Sequence, residues 1–140
     1  MLTVTSRLHK TFRERSAEWV QSGICTFWGQ VVLLSPGAFA RPSYAALSNM
    51  LPEQVWGWLA FLIGLFSLIV LFINGAWRRT PALRMAFSFV RLVIWAGLLM
   101  GTLSMDWSSP SMATFAGLLT HELICLYFAS RDRRAVSLAG

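Results

Sequence analysis

Three ionisable side chains stand in this sequence where the residues around them are apolar. Arg91 interrupts a stretch running from Ala82 to Met105, and His121 and Glu122 sit side by side in another from Ser111 to Ser130. An arginine and a carboxylate in apolar surroundings have two uses. They form a fixed pair that neutralises both charges, or, with a titrating histidine next to them, they relay a proton or an ion. The fixed pair is the simpler reading. Cys25 and Cys125 offer two thiols, and with His121 a metal site is conceivable, but two small apolar side chains explain them more economically. The run His121-Glu122-Leu-Ile-Cys125 lacks the second histidine of a zinc-protease helix, and His9 is the only other histidine. No C-x-x-C, glycine-rich phosphate loop or G-x-S-x-G elbow occurs. The expectation is a protein with no enzymatic activity, no cofactor and no metal.

The elements that carry these residues follow from composition. Of 140 residues, 56% are apolar and only 13% charged, whereas a soluble domain carries about a quarter charged residues. With a mean hydropathy of +0.57, this describes neither a soluble globule nor a disordered chain. A membrane-spanning helix needs about 20 apolar residues. Four stretches are read as spans within one integral-membrane domain: 19–40, 55–77, 82–105 and 111–130. A basic leader, 1–18, precedes them and a short tail, 131–140, follows. Pro36-Gly37 should end the first helix, while Thr80-Pro81 and Ser109-Pro110 pair a hydroxyl cap with proline at the first helical position. In the longer Arg41–Gln54 loop, Tyr44, Leu47, Met50 and Leu51 are expected to dip into the membrane interface. The fold class is therefore all-α, an antiparallel four-transmembrane-helix bundle.

Ten of the twelve basic residues (Arg7, Lys10, Arg13, Arg15, Arg78, Arg79, Arg84, Arg131, Arg133 and Arg134) fall on one side of such a bundle. Arg41 lies on the other side and Arg91 within. The positive-inside rule then puts both termini in the cytoplasm, most simply at a bacterial inner membrane. Trp19 and Trp77 mark the inner boundary; Tyr44, Trp56, Trp58 and Trp107 mark the outer one. Leu8, Phe12 and Trp19 share a helical face among basic residues, which suits a leader lying on an anionic leaflet, although a merely basic tail has the same composition. The pI near 10.7 is explained by these flanking charges, so no nucleic-acid partner is expected. Ala38-Phe39-Ala40 after an apolar stretch also resembles a signal cleavage site, but Glu14, Glu18 and the length of the leader argue for a retained helix.

Residue counting sets the depths. Arg91 lies seven residues beyond Arg84, roughly 10 Å at 1.5 Å per residue, and Glu122 nine before Arg131, roughly 13 Å. Antiparallel neighbours bring these depths together, so an Arg91–Glu122 ion pair is expected, with His121 beside it. Helix one carries a polar stripe of Glu18, Ser22, Thr26 and Gln30. Ala60, Gly64, Ser67 and Asn74 share a face of helix two, and Arg84, Ser88, Arg91, Trp95 and Thr102 one of helix three. Gly97-x-x-x-Gly101 and Ala113-x-x-x-Gly117 permit close packing, within the chain or between copies. The motifs of small multidrug exporters, fluoride channels and membrane glutathione transferases are not matched, and phage holins are similar in composition alone. The expected function is structural. The chain packs with itself as a homo-oligomer or with another membrane protein, its environment is the lipid bilayer, and it has no soluble small-molecule substrate. The alternative is a holin-like pore or small channel using Arg91, His121 and Glu122.

Overall fold

The computed structural model describes residues 12, 15–76, 81–104 and 108–138. Among them there is no strand. The helices are α1 (Ser16–Leu34), the single turn α2 (Ala45–Ser48), α3 (Glu53–Ala76), α4 (Pro81–Leu103) and α5 (Pro110–Leu138), with 3₁₀ turns at Ala38–Ala40 and Pro42–Tyr44. Three are long and apolar enough to cross a membrane, over Glu53–Ile73, Ala82–Leu103 and Pro110–Arg131. The chain is thus an all-helical, membrane-associated protein. The first expected span differs from expectation. Its helix is 19 residues long, ends at Leu34, and is too polar to join the other three. The helix stops just before Pro36-Gly37, the expected terminator, and residues 35–40 turn, with Gly37 at φ +83°. At the other end α5 continues helically into the expected tail as far as Leu138. Both α4 and α5 begin on a proline, where a missing N–H costs nothing.

α1 packs along α3, α4 packs along α5, and smaller contacts between α3 and α4 and between α1 and α5 close the bundle. The α1–α3 seam is antiparallel and close because it is built on small residues. A Cβ at Gly29 would stand 2.8 Å from the Gly57 carbonyl oxygen, and one at Gly64 2.5 Å from the Thr26 amide nitrogen and 2.8 Å from the Ser22 carbonyl oxygen. Between them the Cys25 thiol donates to the Ala60 carbonyl at 3.4 Å. Helix backbones meet this closely only where side chains are absent or small.

The α1–α3 connection is part of the core. The Glu53 carboxylate accepts the backbone N–H groups of Ala38 and Phe39, both at 3.2 Å, and so fixes the first 3₁₀ turn. Phe39 stacks on Tyr44 with ring centroids 4.8 Å apart, Trp28 lies over Tyr44, and Trp95 meets Trp28 edge-on at 6.1 Å. Leu47 is fully buried and seats on Gly97. Tyr44 and Leu47 therefore turn into the protein, while Met50 and Leu51 face outward. Trp56, expected at the outer membrane boundary, is 2% exposed within the bundle, and its indole N–H donates to the Leu47 carbonyl at 2.8 Å. Trp58 is exposed; Trp77 and Trp107 lie outside the described residues.

The seam predicts a contrast between two glycines. Gly64→Ala should lower the unfolding temperature in mild detergent, since inserting a methyl group against backbone costs about 1–3 kcal/mol. Gly117 has nothing within 4 Å of an added Cβ, so Gly117→Ala should unfold no earlier than the parent chain.

Candidate functional site

The buried face of α4 explains how charges come to lie inside the bundle. Arg84, Ser88, Arg91, Trp95, Leu98 and Thr102 are all buried, and their alternating spacing of four and three residues keeps them on one side of a helix. One half of this stripe is ionic and the other is apolar. Each half meets residues of matching character on its neighbours.

Arg91 is 1% exposed and Glu122 is fully buried. Arg91 Nε donates to Glu122 Oε2 at 3.0 Å and Nη2 donates to Oε1 at 2.8 Å, a two-point fork. The other three N–H groups are also used. Nη1 donates to Ser67 Oγ at 2.5 Å and to Ser22 Oγ at 3.3 Å, and Nη2 donates to Ser88 Oγ at 3.0 Å. A guanidinium has five N–H donors, and here all five have acceptors. The acceptors come from four helices: Ser22 on α1, Ser67 on α3, Ser88 on α4 itself and Glu122 on α5. In apolar surroundings every unpaired donor is costly, so this arrangement fixes the rotation and register of each helix at once.

A second buried pair lies about two turns away along α4. Arg84 Nε donates to Glu18 Oε2 at 2.7 Å, and Arg84 Nη2 donates to Glu18 Oε1. The fork is the same side-on geometry. Ser22 links the two pairs, because its hydroxyl donates to the Glu18 carbonyl at 2.7 Å while its oxygen accepts from Arg91. Gln21 adds an amide donor to the Leu118 carbonyl at 2.9 Å, tying α1 to α5, and its own Oε1 is buried without a partner. Beside Glu18 and Arg84 a cavity of about 320 Å³ is lined also by Arg15, Cys125 and Phe128.

The other expected site residues fall into place around this network. Glu18 and Ser22 of the α1 stripe point inward, Thr26 is half-buried and donates to the Ser22 carbonyl, and Gln30 is exposed. The stripe drifts because four residues overshoot a full turn by about 40° at each step. His121 is half-buried and makes no hydrogen bond or ion pair with Arg91 or Glu122 among the described residues. Gly97 and Gly101 are turned inward, Gly97 beneath Leu47; Ala113 and Gly117 are exposed, and an added Cβ at Gly117 would meet nothing within 4 Å among the described residues. The side chain of Asn74 lies outside the described residues. Among the described residues no group of three potential metal ligands converges.

Sequence reasoning missed the Arg84–Glu18 pair, the three serine acceptors acting together, and the α1–α3 glycine seam. A signal for the seam exists. Ser22, Cys25 and Gly29 on one helix, and Gly57, Ala60 and Gly64 on the other, are small residues at spacings of three and four. No family model, no curated protein and no solved structure is similar enough to this chain to show a relationship.

The network predicts a graded response to serine removal. Ser67→Ala leaves one Arg91 N–H without an acceptor and should cost about 1–3 kcal/mol in detergent unfolding. Thr120→Ala, at an exposed hydroxyl that bonds only the carbonyl of its own preceding turn, should cost far less.

Proposed function

We propose that this chain is a four-span, non-enzymatic structural component of a bacterial cytoplasmic membrane, with both termini in the cytoplasm, acting through helix packing with itself or with a larger membrane complex. The observation that carries the reading is the complete set of fixed acceptors around Arg91, drawn from all four long helices. A guanidinium so held is a joint. A relay needs a partner that can exchange, and the pair makes no hydrogen bond or ion pair with His121 among the described residues.

The way polar and apolar side chains are distributed supports α1 as the fourth span. Its Glu18, Gln21 and Ser22 are buried, while Phe27 and Leu34 are 67% and 73% exposed. Water would favour the reverse. In a bilayer, outward apolar side chains and inward polar ones are the favoured arrangement. At 1.5 Å per residue α1 is roughly 28 Å long, close to a hydrocarbon core of about 30 Å. With α1 spanning, the basic clusters on one side of the bundle supply the cytoplasmic orientation.

The test compares Arg91→Leu, Glu122→Leu and the double variant. Either single change strands a buried charge and should cost about 3–5 kcal/mol. The double variant should be more stable than either single one. The serines can tolerate the loss because a helix hydroxyl can turn back to the carbonyl one turn earlier. Expression of the parent chain in bacteria should leave the membrane potential unchanged. Rapid depolarisation, abolished in a double variant that still inserts, would replace this reading with a conducting one.

A further inference from the structure

A groove of about 680 Å³ runs between α4 and α5 on the outside of the bundle, lined by Ala82, Met85, Ala86, Phe89, Leu123, Leu126, Tyr127 and Ser130. Its volume is that of a ligand site, which typically measures about 300–1,000 Å³. It is separate from the Arg91 network, whose residues face inward. Its character changes along its length. Toward the middle of the helices it is walled by Phe89 and Leu123. At the end where α4 begins and α5 leaves the bundle it reaches Tyr127 and Ser130.

The wall does not stop there. Tyr127, Ser130, Arg131 and Arg134 follow at spacings of three and four, so the helix face that lines the groove passes from apolar through hydroxyl to guanidinium. Arg131 and Arg134 are both exposed. The opposite wall begins at the first turn of α4, whose N-terminus carries partial positive charge. A mostly apolar groove with the exposed Arg131 one residue beyond its Ser130 end complements one class of molecule, an apolar chain ending in an anion. The groove also opens sideways, along the surface that faces lipid if the helices span a bilayer.

We propose that this groove binds an anionic phospholipid of the cytoplasmic leaflet, one acyl chain lying against Ala86, Phe89 and Leu123 and the phosphate meeting Arg131 at the α4 N-terminus. The proposal rests on the spanning orientation above. Basic pockets between spanning helices on the cytoplasmic side are where such headgroups bind. Ala82 and Ala86 keep the slot open, since larger side chains at these two positions on the α4 wall would fill it.

The experiment reconstitutes the full chain into phosphatidylcholine vesicles containing a trace of spin-labelled phosphatidylglycerol or, separately, spin-labelled phosphatidylcholine, and reads the motionally restricted fraction of each. Phosphatidylglycerol should be retained several-fold over phosphatidylcholine, and the preference should shrink with added salt. Arg131→Gln, an exposed change that leaves the bundle intact, should reduce it about five-fold. Ala86→Trp should abolish it by filling the groove. Equal retention of the two lipids by an inserted chain overturns the lipid site and leaves the spanning reading standing. So does a preference that survives both substitutions, which assigns it to basic residues elsewhere. A chain that fails to partition into either vesicle, and is stripped by alkaline extraction, overturns the spanning reading and the lipid site together.

Discussion

A guanidinium away from water is the constraint from which the rest of this molecule follows. Its five donors lie in one plane and point in directions that cannot be adjusted independently. Arg91 meets them with two carboxylate oxygens and three hydroxyls. A hydrogen bond tolerates only a few tenths of an ångström, so no helix that supplies an acceptor can rotate or slide alone. The glycines and cysteine of the α1–α3 seam are needed for the same reason. Ser22 and Ser67 reach one guanidinium only if their helices approach closely, and bulkier residues at positions 29 and 64 would hold them apart.

The bundle is divided along its length by the kind of contact that holds it. At the Arg84 end two ion pairs of matching geometry cross between helices, Glu18 with Arg84 and Glu122 with Arg91. At the Trp95 end an aromatic group made of Trp28, Phe39, Tyr44 and Trp95 takes over, closed by Leu47 against Gly97. These contacts differ in what they demand. The ionic half fixes register, because charges must meet their partners. The aromatic half fills volume, and it does so by folding the connection between α1 and α3 into the core. The Glu53 carboxylate holds that connection from the first turn of α3, so the two halves of the α1–α3 hairpin share one rigid end.

Depth along a helix is easily read from a sequence, and direction around it less so. Arg91 and Glu122 can be set at similar depth by counting from Arg84 and Arg131, and the structure pairs them. Arg84 itself was counted as a flanking charge because it stands near the end of its span, and nothing in its position announces that Glu18 lies opposite. Counting in fours assembled Glu18, Ser22, Thr26 and Gln30 into one stripe, yet the helical repeat of 3.6 residues carries Gln30 out to the surface. The end of the first helix is a local matter and is legible: Pro36-Gly37 reads as its terminator, and the helix stops at Leu34 with Gly37 left-handed. Composition places Trp56 at a membrane boundary, and nothing local announces that its indole N–H will meet the Leu47 carbonyl. For Arg84 and Trp56 the missing information is a neighbour on another element.

The Arg91 acceptors also have an order in time. A ribosome makes Ser22 first, Ser67 next, then Ser88 and Arg91, and Glu122 last, 31 residues after the arginine. Glu18 likewise waits through 66 residues for Arg84. The cation is therefore synthesised before the anion that neutralises it, and the first helix carries an anion with no partner until the third long helix exists. An isolated α4 is a poor guest for lipid. An α4–α5 hairpin cancels the Arg91 charge internally, while Arg84 still requires Glu18 of α1. Closure of the two ion pairs is accordingly sequential: Glu18 meets Arg84 once α4 exists, and Arg91 waits for α5 to deliver Glu122.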